Sequence, residues 1–65
     1  MKIRVIKEFG ITMTHPRDND VDNTFYAGDI LEGAIVGDHG EYVSFETTDG
    51  WRLDGLKKDQ FKEVV

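Results

Sequence analysis

Turn-forming residues punctuate this sequence about every eight to twelve positions, and no segment between them carries sustained helical periodicity. That spacing leaves room only for short strands. The strongest stretch is Phe25-Tyr26-Ala27-Gly28-Asp29-Ile30-Leu31-Glu32-Gly33-Ala34-Ile35-Val36. It reads as a turn at Ala27-Gly28-Asp29 feeding a central strand over 29–36.

Met1 to Phe9 alternates, with Met1, Ile3 and Val5 on one face. Gly10 interrupts it, and His15-Pro16 forces an extended or turn conformation, because a residue before proline is pushed out of the helical region. Residues 17–23 are rich in Asp and Asn, which bond their own backbone and favour turns. Residues 10–24 therefore read as one long loop or a loose hairpin. Glu41 to Thr47 alternates again, with Val43 and Phe45 on one face. Thr48-Asp49-Gly50 is the clearest hairpin turn, since Asp-Gly supplies the positive φ that primed turns need. Trp51-Arg52-Leu53 pairs back, Lys57 to Gln60 reads as one helical turn, and Phe61 to Val65 as a last strand. Phe25, Phe45 and Phe61 fit the core by pattern.

The expectation is all-β: a single 65-residue domain (1–65) folded as a five-stranded barrel, with a long loop after the first strand and a short helical turn before the last. Closure is favoured because it removes the edges an open sheet exposes. A chain this short buries only about 60% of its unfolded surface. With no cysteine it has neither disulfides nor a thiolate metal site to reinforce it.

The order of parts resembles an SH3-like small β-barrel of the bacterial or phage type. Phe25 to Ile30 resembles the diverging turn. Gly55-Leu56, Asp59-Gln60-Phe61 and Val64 resemble the closing glycine, helical turn and last strand. The polyproline-binding residues are missing. Lys7-Glu8-Phe9 stands where the first-strand tyrosine motif belongs, Glu41-Tyr42 where the tandem tryptophans belong, Lys58 for the helical-turn proline and Phe61 for the following tyrosine. A polyproline groove needs stacked aromatic walls, so the resemblance implies a barrel without that ligand.

Net charge is −5, which opposes bulk attraction to nucleic acid or anionic membranes. No stretch approaches the roughly 20 apolar residues of a membrane helix, and the start lacks signal-peptide organisation. The expectation is a cytoplasmic protein, read from its initiating Met and length as a complete small gene product. Basic residues gather at the ends: Lys2, Arg4 and Lys7, then Lys57, Lys58 and Lys62. Between Asp18 and Asp54 the only basic residue is Arg52. Side-by-side terminal segments would make one pole basic.

Asp18-Asn19-Asp20-Val21-Asp22-Asn23, with Asp29 twelfth from Asp18, has the spacing of a calcium loop. The flanks are not helical, Asp reaches less far than Glu, and Asp29 already serves a turn, so a solvated acidic loop is the reading adopted, with no metal and no cofactor. His15 and His39 fall in turns and read as solvated. Ser44 stands mid-strand without a glycine elbow, so no enzyme is expected.

What remains is a small non-catalytic protein-binding module. Its candidate contacts are Tyr26, Tyr42, Trp51 and Arg52, residue types that anchor interfaces, flanked by Asp18, Asp20 and Asp22. They would meet a partner with a basic or mixed surface; a phage or mobile-element factor acting on a host protein fits that description. Two alternatives stay open. One is a nucleic-acid-associated barrel of the KOW or Tudor kind, using the basic pole. The other is an acidic inhibitor that mimics DNA.

Overall fold

A computed structural model describes residues 1–65. Its strands are β1 (Lys2–Val5), β2 (Phe9–His15), β3 (Asp18–Phe25), β4 (Ile30–Asp38), β5 (Tyr42–Thr47), β6 (Arg52–Lys57) and β7 (Phe61–Val64), with a 3-10 turn over Lys58–Gln60 before β7. They form one antiparallel sheet in the order β3-β2-β6-β5-β4-β1-β7. No α-helix is present, and so no helix is long and apolar enough to cross a membrane.

The expectation of all-β structure holds at that level, but there are seven strands, not five, and the sheet ends on β3 and β7 without closing. The extra pair comes from residues 10–24. Of the two readings of that segment, long loop or loose hairpin, the hairpin is the one present, with Phe9 opposite Phe25, Ile11 opposite Asn23 and Met13 opposite Val21. Gly10 does not break β2. The Asp- and Asn-rich arm tolerates a strand because β3 has a neighbour on one side only, so its polar side chains stay hydrated. The Phe9 and Phe25 rings, with centroids 5.5 Å apart, anchor the base of the hairpin.

β4 serves two neighbours. Ile30 to Glu32 pair with β1, and Gly33 onward with β5. At the changeover the β5 backbone crosses so closely that a Cβ on Gly33 would collide with the Glu46 carbonyl group and lie 2.8 Å from Thr47 Cα. Glycine is the only residue that fits. The doubled-over sheet encloses Ile3, Val5, Phe9, Phe25, Val43, Phe45, Leu53 and Leu56, with Ile11, Met13, Leu31 and Phe61 packed around them. Alternation places Ile3 and Val5 on β1 and Val43 and Phe45 on β5 in the core, whereas Leu53 and Leu56 lie three apart on β6 and Met1 is exposed.

Candidate functional site

Strands β5 and β6 turn Val43, Phe45, Leu53 and Leu56 into the core. Tyr42, Ser44, Arg52 and Asp54 take the opposite parity to Val43, Phe45 and Leu53, and register places Ser44 beside Asp54. A chain of polar contacts runs along this face. Arg52 Nε donates to Asp54 Oδ1 at 3.0 Å, and Ser44 Oγ donates to the same oxygen at 2.6 Å. His39 Nε2 lies 3.1 Å from Ser44 Oγ. Because the single hydroxyl proton goes to the carboxylate, His39 must present an N–H at Nε2. The His39 ring then packs against Tyr42, with centroids 5.0 Å apart. The imidazole sits over Gly37, where a Cβ would come within 3.2 Å of Nε2.

Serine, histidine and aspartate are the residue types of a hydrolase triad, but their order here is different. A triad places histidine between serine and aspartate, so that it can take the hydroxyl proton. Here serine is the middle member and gives its proton to Asp54. Ser44 is also only 1% exposed, so it presents no nucleophile to solvent. The chain ends at the His39 ring, against which Tyr42, 43% exposed, packs.

Both acids that border this face are held below the ordinary carboxylate range. For Asp54 the first cause is the Ser44 hydroxyl, followed by the Arg52 guanidinium. For Asp38 it is the Gly40 amide, followed by the Lys58 ammonium, which lies 2.9 Å away and ties the β4–β5 turn to the 3-10 turn.

A second cluster closes one end of the core. Trp51 follows the β5–β6 turn with the parity of Leu53. It is half-buried, not a free anchor, and its ring packs against His15 at a centroid distance of 5.0 Å. The Thr47 hydroxyl brackets this turn, donating to Asp49 Oδ1 and accepting from the Trp51 amide at 3.0 Å. His15 is not solvated either. Its side chain is 15% exposed, with Nε2 3.0 Å from the Asp49 carbonyl and Nδ1 accepting from the Arg17 amide at 3.1 Å. Asp18 Oδ2 lies 3.9 Å from Nδ1.

The candidate residues therefore divide. Tyr42 and Arg52 belong to one connected face, while Trp51 and Asp18 meet through His15. Asp20 and Asp22 lie along the β3 edge, where alternate side chains stand about 7 Å apart, and Asp22 accepts from Thr12 Oγ1 at 2.6 Å. Asp29 is a turn residue, its carboxylate accepting from the Tyr26 amide at 2.8 Å. No three His, Asp or Glu side chains converge as a metal site would require. Tyr26, 55% exposed, stands apart on that turn.

His15, His39, Ser44 and Asp54 are residues whose contacts a linear reading does not give. His15 and His39 read there as solvated and Ser44 as a mid-strand residue, and a polar residue between two core positions is what alternation expects, so it gives no signal.

The terminal strands do lie side by side, with Arg4 directly opposite Lys62. The basic pole is nonetheless partly neutralised, since Lys7 pairs with Asp59 at 3.1 Å and Lys58 with Asp38. Surface depressions are shallow and polar, one of about 440 Å³ over Thr12, Asp22 and Thr24, another of about 400 Å³ between Glu41 and Lys58. No protein-family model matches the sequence, and no curated protein or solved structure is similar to it.

Proposed function

We propose that this chain is a non-catalytic protein-binding module of the SH3-like kind, contacting its partner through the face around Tyr42. The observation that carries the reading is the Arg52–Asp54–Ser44–His39 chain, which holds an exposed tyrosine against a fixed imidazole. A rigid aromatic loses little entropy on binding, and interfaces draw their energy from such anchors. The order of β1, β4, β5, β6, 3-10 turn and β7 follows the SH3-like order, with the β2–β3 hairpin in the position of the long first loop. Arg52 and Asp54 offer mixed charge beside Tyr42, and Asp18 and Asp20 flank the module with acidic charge, which steers partners of basic or mixed surface. The protein acts by occupying that partner. A phage or mobile-element origin suits its size.

A photo-crosslinking residue in place of the exposed neighbour Glu41, with Tyr42 either kept or replaced by alanine, tests this in the native cell. A partner band should form at that position, and Tyr42→Ala should weaken capture at least tenfold without lowering the melting temperature. Equal capture by both proteins rejects the face.

A second reading rests on the terminal strands. Arg4 opposite Lys62 is a like-charge pair, which costs stability, and neither side chain has an acidic partner among the ion pairs. That is where a nucleic-acid phosphate would bind. A gel shift at low salt that vanishes in Arg4→Ala supports this role, and no retardation ends it.

A further inference from the structure

His15 joins two turns that are far apart in sequence. Its ring lies against Trp51, and Gly50 makes room for it, since a Cβ there would stand 2.9 Å from Nε2. Both ring nitrogens are engaged. The Arg17 amide can only donate, so Nδ1 is the acceptor and the ring proton sits on Nε2, donating to the Asp49 carbonyl. A second proton therefore has one place to go, which is Nδ1, where it meets the Arg17 N–H head on.

We propose that His15 is a proton-operated latch of the β2–β3 turn, exchanging the Arg17 amide for the Asp18 carboxylate as its Nδ1 partner. The solvent proton adds to Nδ1, the Arg17 amide turns to water, and Asp18 Oδ2, now 3.9 Å away, closes onto the imidazolium. The Nε2–H bond to Asp49 stays, so the hairpin remains attached while its tip rearranges. The surrounding charges leave Asp18 as the partner. The Asp49 carboxylate accepts from Thr47, and Arg52 is paired with Asp54. Arg17, in the turn itself, repels the imidazolium. If the module binds as proposed, acid withdraws Asp18 from the flank it offers a basic partner; that consequence alone rests on the binding role.

Nuclear magnetic resonance on the isolated protein, titrated from about pH 8 to about pH 5, tests the latch without any partner. At high pH, long-range ring correlations should show the proton on Nε2. On acidification the Arg17 amide proton should move upfield in step with the His15 ring, and the Asp18 carboxyl carbon should follow. His15→Gln should flatten both responses. Asp18→Asn should erase only the carboxyl response, so the wild type and Asp18→Asn suffice if His15→Gln does not fold. An Arg17 amide that stays fixed while the ring titrates overturns the proposal, as does a high-pH ring protonated on Nδ1.

Discussion

Replacing Ser44 by alanine separates the network from the core beneath it. The substitution deletes one hydroxyl and with it two contacts, the 2.6 Å bond to Asp54 and the 3.1 Å contact with His39. A hydrogen bond to a charged group contributes about 1.5–3 kcal/mol and a neutral one about 0.5–1.5. Asp54 and His39 reach solvent, however, so water replaces much of what each loses, and Asp54 keeps Arg52. The expected net cost is about 1–2 kcal/mol, a fall in melting temperature of roughly 5–15 °C for a domain of this size. The cost should depend on pH with a defined sign. Asp54's folded-state pKa is lowered, with Ser44 the first cause. Its contribution is therefore present above the unfolded carboxylate value of about 3.9 and is lost as pH falls through the folded value. Ser44→Ala removes part of that lowering, so the gap between wild type and variant should be widest at neutral pH and narrow in acid. Thermal denaturation followed by circular dichroism, at neutral pH and below pH 3, measures both. A variant as stable as wild type, or a gap that widens in acid, refutes the idea that Ser44 acts through the Asp54 carboxylate.

Three further outcomes follow from particular contacts. Gly33→Ala should cost at least about 2–3 kcal/mol, because a Cβ there meets the Glu46–Thr47 backbone and not a side chain that can swing away; a melting temperature within about 2 °C of wild type would mean the strands slide apart freely. Phe45→Ala removes a ring with no solvent exposure at about 3–5 kcal/mol, comparable with all the stability a chain this small has, and should give an unfolded spectrum at room temperature. Asp29→Ala loses the carboxylate that accepts from the Tyr26 amide and should lower the urea midpoint by the equivalent of about 1 kcal/mol with an unchanged slope.

What could be read from the residues in order was whatever depends on neighbours in sequence. Ile3 and Val5, or Val43 and Phe45, declare their strands by alternation, and Asp49-Gly50 declares its turn. The β2–β3 hairpin could be read only as an alternative to a long loop, because its second arm is hydrophilic on nearly every residue. Only the knowledge that β3 would be an edge strand, with one neighbour, makes Asp18 to Asn23 acceptable in a sheet. His15 departs from its solvated reading for a related reason. A turn histidine is solvated unless another turn is brought against it, and which turns meet is set by the pairing of β2 with β6. The Ser44–Asp54 pairing does follow from counting back from the Asp49-Gly50 turn, since the register shift between Val43 and Ser44 lies beyond it; what the count cannot give is His39, which reaches Ser44 from the neighbouring turn.

The charges tell two stories once the internal pairs are removed. Lys7, Arg52 and Lys58 are each spent on an acid, Asp59, Asp54 and Asp38; the Lys7 and Lys58 pairs join separate elements, and the Arg52 pair lies within β6. What remains is only partly sorted by strand order. Asp18 and Asp20 lie on the β3 edge, with Arg17 beside them, while Lys2, Arg4 and Lys62 lie on β1 and β7 at the other end of the sheet, among them Glu63 and, opposite Lys2, Glu32. A net charge of −5 thus hides a molecule with a more acidic and a more basic margin, and the Tyr42 face lies on strands between them. A partner held through Tyr42 and steered by the acidic margin should associate more slowly as salt is added while its dissociation rate barely changes, since rim charges act mainly on encounter. A partner held at Arg4 and Lys62 through phosphates should instead lose affinity steeply with salt. The salt dependence of the two rate constants therefore assigns the surface even before the partner's own contacts are known.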